Sequence, residues 1–167
     1  MPRFHLLAAV LIAGIASAET PETAPAKAAH NHVEARPATI EWGASPAGLP
    51  PGAQGALLEG DPAKAGYFAL RLKVPGGYKI MPHTHPGDER VTVLEGTLYL
   101  GVGERWDEST LQEFPPGSYV SIPKGHKHFA FFKQAGIIQL NSLGPWGITY
   151  INPKDDPRKA QGPRPSR

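Results

Sequence analysis

The chain has 167 residues, a formal net charge of +2 and no cysteine. That length gives one domain with room for a real core, and without a basic stripe interleaved with aromatics there is no reason to invoke a nucleic-acid partner. The lack of cysteine excludes disulfides and thiolate metal sites, so any metal must be held by nitrogen and oxygen.

The first residues read as a targeting segment. Arg3 makes a small positive n-region, residues 6–15 are apolar, and Ala16-Ser17-Ala18 is a small-residue cleavage signature. Residues 1–18 are therefore expected to be a secretory signal peptide, which predicts a periplasmic or secreted protein with no membrane attachment once the signal is removed. The alternative is an uncleaved N-terminal anchor, but the apolar run is shorter than the roughly 20 residues a spanning helix needs. Residues 19–36, rich in Ala, Pro, Thr and Glu, have no periodicity and are expected to be a disordered leader. His30-Asn31-His32 lies inside it; a solvated linker is preferred there to a weak metal pair, since nothing preorganises it.

From residue 37 to 152 short β-type runs alternate with turns, and the 19 glycines and 19 prolines suit that punctuation. The pattern predicts strands at 39–42, 56–59 and 67–74; in the last, Phe68, Leu70, Leu72 and Val74 alternate with Tyr67, Ala69, Arg71 and Lys73. Further strands are expected at 78–85, 90–94 and 97–102, with Glu95-Gly96 closing a hairpin. A short helical turn is expected within 107–114, then strands at 119–122, 128–132, 137–141 and 148–151; residues 153–167 are expected to be a loose tail. About ten short strands with regular turns and no long amphipathic helix imply an all-β double-sheet sandwich or barrel.

Two segments carry the chemistry. In the first, His83 and His85 stand one residue apart and Glu89 follows Pro86-Gly87; in the second, Gly117 to Gly125 leads into His126-Lys127-His128. Residues i and i+2 of a strand share a face, so His83 and His85 can reach one ion together, and the Pro86-Gly87 turn can bring Glu89 back to it. Three imidazoles and a carboxylate are a standard ligand set for a divalent transition metal, and four protein ligands on an ion that prefers six leave two positions for water, oxygen or a bidentate small molecule.

These segments resemble the two motifs of the cupin superfamily. Residues 77–96 fit G-x5-HxH-x3-E-x6-G at every defined position, and residues 117–128 fit G-x5-PxG-x2-H. The short stretch between them is like that of small single-domain cupins, or monocupins. The resemblance implies a double-stranded β-helix, or jelly-roll barrel, of the RmlC-like type, with an interior metal ion held by His83, His85, Glu89 and His128. Cupins use Fe, Mn, Zn, Ni, Co or Cu, and include dioxygenases, isomerases, epimerases, decarboxylases, lyases, storage proteins and sugar-binding regulators, so the resemblance fixes the fold better than the reaction. Cupins often form homodimers through an edge strand, and the N-terminal strand here offers one.

The chain departs from the family where a terminal asparagine is expected: Phe132 stands there. If His128 faces inward, so do Ala130 and Phe132, and Phe132 either packs in the core or stacks on a substrate. His126 is expected to be exposed in its turn, an acid/base role beside the centre being the alternative. Asp88 and Arg90 read as a solvated rim, Arg71 and Lys73 as surface residues. Tyr78, Met81, Tyr99, Gln139 and Trp146 are candidates for the pocket wall. The function expected is that of an exported metal-dependent enzyme of oxygenase, isomerase or lyase type, acting on a small polar metabolite that chelates the metal. The alternative is a non-catalytic metal- or ligand-binding cupin, a sensor or buffer.

Overall fold

The structure, a computed structural model, describes residues 32–160. The expected signal peptide and most of the expected leader lie outside the described residues. Eleven strands run β1 (Gly43–Ala44), β2 (Gln54–Glu59), β3 (Gly66–Val74), β4 (Tyr78–Thr84), β5 (Glu89–Glu95), β6 (Leu98–Val102), β7 (Gln112–Phe114), β8 (Tyr119–Ile122), β9 (His128–Phe132), β10 (Gly136–Gly144) and β11 (Thr149–Tyr150). They form two antiparallel sheets, β1-β2-β3-β10-β5-β8 and β11-β4-β9-β6-β7. From β3 onward the chain passes repeatedly between the sheets, which is the jelly-roll arrangement. The fold is thus all-β, as expected. Among the described residues no helix is long and apolar enough to cross a membrane.

Strand alternation builds the interior. On β10, Ile138, Leu140 and Ser142 are buried while the residues between them are not, and on β5 the buried set is Glu89, Val91 and Val93. Glu89 therefore continues the same inward row as two core valines. The opposite sheet contributes Tyr78 and Ile80 from β4 and His128, Ala130 and Phe132 from β9. Phe129, on the outer side of β9, is also fully buried. Its ring lies over Gly101 on β6, where a Cβ would stand 2.1 Å from the ring, and Trp106 covers it at 5.1 Å between centroids.

Several boundaries differ from the sequence expectation. The segment expected as a strand at 39–42 instead makes a 3-10 turn at Pro37–Thr39 followed by the two-residue β1. Glu95-Gly96 does not close a hairpin: β5 pairs with β8 and β10, whereas β6 pairs with β7 and β9 in the other sheet. The turn lifts the chain from one layer to the next. The helical turn is 3-10, at Glu108–Thr110, capped by Asp107 Oδ1 accepting from the Ser109 N–H at 2.9 Å. Within the expected loose tail, Pro153–Asp155 and Pro157–Ala160 are helical turns. Arg158 fastens them, donating to both carboxylate oxygens of Asp156 at 2.8 and 2.9 Å and to the Ile148 carbonyl at 3.0 Å.

One irregularity decides the site. Between Ile80, which faces Ala130, and His83, which faces His128, β4 has one residue more than β9. This is a β-bulge at Met81-Pro82, a position that tolerates the missing proline N–H. Ahead of it the inward residues are Tyr78 and Ile80; after it they are His83 and His85.

Candidate metal centre

Among the described residues six polar or charged side chains are buried, and His83, His85, Glu89 and His128 account for four of them. All four lie inside the barrel. His83 and His128 come from paired positions on β4 and β9, His85 from the turn after β4, and Glu89 from the first position of β5 in the opposite sheet. The candidate nitrogen atoms of the three histidines lie within 4.8 Å of one another. The Glu89 Oε2 atom is 3.5 Å from His85 Nε2 and 3.6 Å from His128 Nε2.

Each imidazole is oriented by a main-chain carbonyl. The Nδ1 atom of His83 lies 2.7 Å from Met81 O, that of His85 2.7 Å from Gly147 O, and that of His128 2.9 Å from His126 O. A carbonyl only accepts, so each Nδ1 carries a proton and each Nε2 of the neutral ring presents a lone pair. Two of the three carbonyls lie two residues before their histidine, so the strand itself orients the ring. The bulge residue Met81 is one of these acceptors. This is the pattern that metal-binding histidines use to fix ring orientation and tautomer.

Charge agrees with this arrangement. Burial, reinforced by the nearby His128 and His85, holds the His83 imidazole well below its ordinary range. Burial also lowers that of His85, partly opposed by the Glu89 carboxylate. For Glu89 burial acts to raise the pKa, but His85 and His128 outweigh it and the carboxyl stays below its usual range. Neutral imidazoles beside one carboxylate suit a divalent cation. His85 Nε2 is one of two buried side-chain polar atoms among the described residues with no hydrogen-bond partner, and a metal ion supplies what that lone pair lacks. The residues therefore fit a metal ion, with three buried histidines positioned to hold it.

The loops around the centre are laced together. The Gly125 N–H, at a residue with φ of 72°, donates to His85 O at 3.0 Å. Asp88 Oδ1 accepts the Lys124 N–H at 3.0 Å, and the Ser142 hydroxyl donates to Asp88 O at 2.6 Å. Asp88 and Arg90 are exposed, as expected of a rim, though Asp88 also has this structural bond. His126 is exposed and serves the centre through its carbonyl. Ser142 and Leu49 were not singled out from the sequence. Leu49 reaches the interior because the Tyr78 and Tyr150 hydroxyls hold its loop, donating to Pro50 O and Gly48 O at 2.7 and 2.8 Å.

Beside the metal residues is a cavity of about 40 Å³, lined mainly by aliphatic side chains such as Leu72, Val91, Ile138 and Leu140. Phe132 and Trp146 complete its wall. Phe132 lines the interior as expected, 1 % exposed. Of the other candidate wall residues, only Trp146 lines the cavity, stacked on His85 at 5.0 Å and 20°. Tyr78 is a core residue tied to Pro50, and Met81 packs against the core from the bulge. Tyr99 packs at a tilt against Phe131, and Gln139 accepts from Arg71 Nε at 3.2 Å on the other side of its sheet from the inward Ile138 and Leu140, so neither serves the pocket.

Comparison with known proteins agrees with this picture. The chain is 38% identical over 79 residues to germin-like protein 8-10 of Oryza sativa subsp. japonica, over 42% of this chain and 35% of that protein. It thus spans about a third of the length of the curated relatives it matches. Among solved structures it resembles the polyketide cyclase RemF from Streptomyces resistomycificus, with a TM-score of 0.63 and 16% identity over 77% of this chain and 92% of that one. It also resembles an RmlC-like cupin from Shewanella frigidimarina NCIMB 400, with a TM-score of 0.51 and 17% identity over 66% and 90% of the two chains. DMSP lyase DddQ from Ruegeria pomeroyi DSS-3 gives 0.52 and 18% over 68% and 61%. At such identities these likenesses bear on the fold alone. The family model for the ChrR cupin-like domain matches residues 30–146, a stretch that contains both motifs, the buried His83, His85, Glu89 and His128, and Trp146. By that match across more than half its length, the chain belongs to the ChrR cupin-like family, within the cupins.

Proposed function

We propose that this protein is an exported, metal-dependent cupin enzyme acting on a small, polar, metal-chelating metabolite, with His83, His85, Glu89 and His128 as the ligands of one divalent ion. The observation that carries the reading is the shared orientation of the imidazoles: all three Nδ1 atoms are engaged by main-chain carbonyls, leaving every Nε2 for an ion. A bound divalent ion would supply Lewis-acid polarisation and a template for two substrate oxygens. The chain's residues supply the rest. Glu89 offsets one positive charge, the main-chain carbonyls hold the rings, and Leu72, Val91, Ile138 and Leu140 give the cavity an apolar wall. The reaction class is oxygenation, isomerisation or lyase chemistry. Export is proposed on Arg3, the apolar run and Ala16-Ser17-Ala18.

A specific observation favours a second reading. By the same measure one water takes about 10–15 Å³, so the cavity of about 40 Å³ holds roughly three. A small, largely aliphatic centre of that size suits a non-catalytic metal sensor or buffer. The test begins with metal analysis of protein purified from its native compartment. Cobalt-substituted protein is then titrated with acetylacetone and lactate. Wild-type protein is expected to carry about one ion per chain and His85→Ala none, both folded. A cobalt spectrum that responds to either chelator while the ion stays bound supports the enzyme. One indifferent to both supports the sensor or buffer, and full metal retention by His85→Ala refutes the centre itself.

A further inference from the structure

Of the residues that line the cavity, all but Leu49, His85 and Trp146 lie on strands. His85 and Trp146 are pinned to distant segments: His85 O accepts the Gly125 N–H at 3.0 Å, and the Trp146 N–H donates to Pro62 O at 2.7 Å. The Leu49 N–H reaches Pro46 O, within its own loop, at 3.4 Å. The loop of residues 46–52 is thus the least tied part of the cavity wall. Ala47, Pro51 and Gly52 are exposed on this loop, whereas Leu49 is 8 % exposed and lines the interior.

The loop is built as a hinged plug. Gly48 and Gly52, at φ of 94° and 103°, bracket Leu49-Pro50-Pro51, so a stiff prolyl segment carries Leu49 between two conformationally free residues. Pro46, Pro50 and Pro51 have no N–H to donate, which leaves the loop to be held by others. Two tyrosines do so, their hydroxyls donating to the carbonyls on either side of Leu49: Tyr150 to Gly48 O at 2.8 Å and Tyr78 to Pro50 O at 2.7 Å. Tyr150 stands opposite His83 on the neighbouring strand, so this latch is set against the metal site. Where the loop begins, Ser45 and Pro46 line a second pocket, of about 220 Å³, together with Leu57 and Leu70. Leu57 is 56 % exposed, so this pocket reaches the surface. Leu70 lines the outer pocket and Leu72 the inner cavity, and they are successive inward residues of β3, about 7 Å apart along the strand.

We propose that the loop of residues 46–52 is a gate: Leu49 closes the way from the outer pocket to the metal cavity, and the Tyr78 and Tyr150 hydroxyls latch it shut. The outer pocket is aliphatic apart from Ser45, so this route suits small neutral molecules. Withdrawal of Leu49 also enlarges the inner cavity, which then takes a ligand bigger than the closed space holds. The inference rests on the metal-centre reading for what the gate serves, and adds to it the route by which a small ligand arrives.

Entry rates test it. Cobalt-loaded protein is mixed with 2-mercaptoethanol, a small neutral thiol, and the thiolate–cobalt absorption is followed by stopped flow; the chain has no cysteine to interfere. Tyr78→Phe and Tyr150→Phe each remove one latch and keep the ring. Each is expected to speed entry and release alike, about fivefold, with little change in affinity. Leu49→Ala should speed entry more than either, whereas Val93→Ala, a buried deletion that does not line the cavity, should leave the rate near that of wild type. Native-state hydrogen exchange of the metal-free protein reads the gate without the ion. The buried Leu49 amide is expected to exchange faster than the amides of β3 and β10, and about fivefold faster again in Tyr150→Phe. Entry no faster in Leu49→Ala than in Val93→Ala, or a Leu49 amide that exchanges only when the strands do, overturns the gate while leaving the metal centre standing. A wild-type protein that takes up no cobalt overturns the metal centre, and the exchange experiment then decides the gate by itself.

Discussion

Replacing Glu89 with Gln keeps the shape of the side chain and removes the one negative charge among the buried metal residues. The carboxylate is 6 % exposed and its Oε2 lies 3.5 and 3.6 Å from the Nε2 atoms of His85 and His128, two of the proposed metal ligands. The fold has already stripped this group of most of its water, so little desolvation is left to oppose its attraction when an ion arrives. Unit charges about 4 Å apart gain about 4 kcal/mol at an effective dielectric near 20, hence about 8 for a divalent ion. The amide oxygen of Gln recovers roughly half of this as a neutral ligand, which leaves a loss of about 3–4 kcal/mol, or two to three orders of magnitude in affinity. Zinc affinity measured by competition with a chromophoric chelator at pH 7.5 reads this directly, with far-UV circular dichroism to establish that the variant is folded. A folded Glu89→Gln protein that binds zinc within about threefold of wild type would refute the reasoning, and with it the place of Glu89 as a ligand.

Phe132→Asn places the family's expected residue in an apolar wall. It is expected to destabilise the protein by about 3 kcal/mol in urea titration, through lost burial and a poorly satisfied amide, and to change chelator preference in cobalt titrations more than metal affinity. Metal affinity falling as far as in Glu89→Gln would contradict this. The metal-free protein should lose stability on acidification. His83 and His85 are held below the ordinary imidazole value of 6.5, so below that pH the unfolded chain takes up protons that the native rings refuse. This stability is complete above about pH 6.5 and declines as pH falls toward the native values. Thermal melts from pH 7.5 to 5 check it, and zinc should raise the melting temperature most at the upper end; a flat metal-free profile would count against neutral buried rings. For export, N-terminal sequencing of the mature protein is expected to begin at Glu19, and a secreted product retaining Met1 or Pro2 would refute cleavage.

Strands with clean alternation were legible residue by residue: β8 and β9 begin and end where the pattern of Tyr119–Ile122 and His128–Phe132 placed them. So was the inward grouping of His83, His85, Glu89 and His128, because their spacing is tied to strand geometry and recurs in two ordered motifs. Partner choice was not. Glu95-Gly96 looks like a hairpin locally, yet the strands on either side join different sheets, and which strand accepts a hydrogen bond is decided by distant segments. The carbonyls that orient the histidines were hidden for a related reason. Every residue has one, so Gly147 O carries no mark in the sequence. Trp146 was visible as a candidate but could not be told from Tyr99 or Gln139 until the register fixed which side of the sheet each occupied.

The bulge at Met81-Pro82 makes the centre a matter of counting. A strand of uniform phase would offer its interior Tyr78, Ile80 and Pro82, and turn His83 outward. One additional residue exchanges the two faces halfway along β4, so the same strand closes the hydrophobic core at one end and presents imidazoles at the other. Gain or loss of a chemical centre in such a barrel therefore requires no new ligand residue. A one-residue deletion at this place is enough to turn His83 out of the interior while every ligand type stays in the sequence.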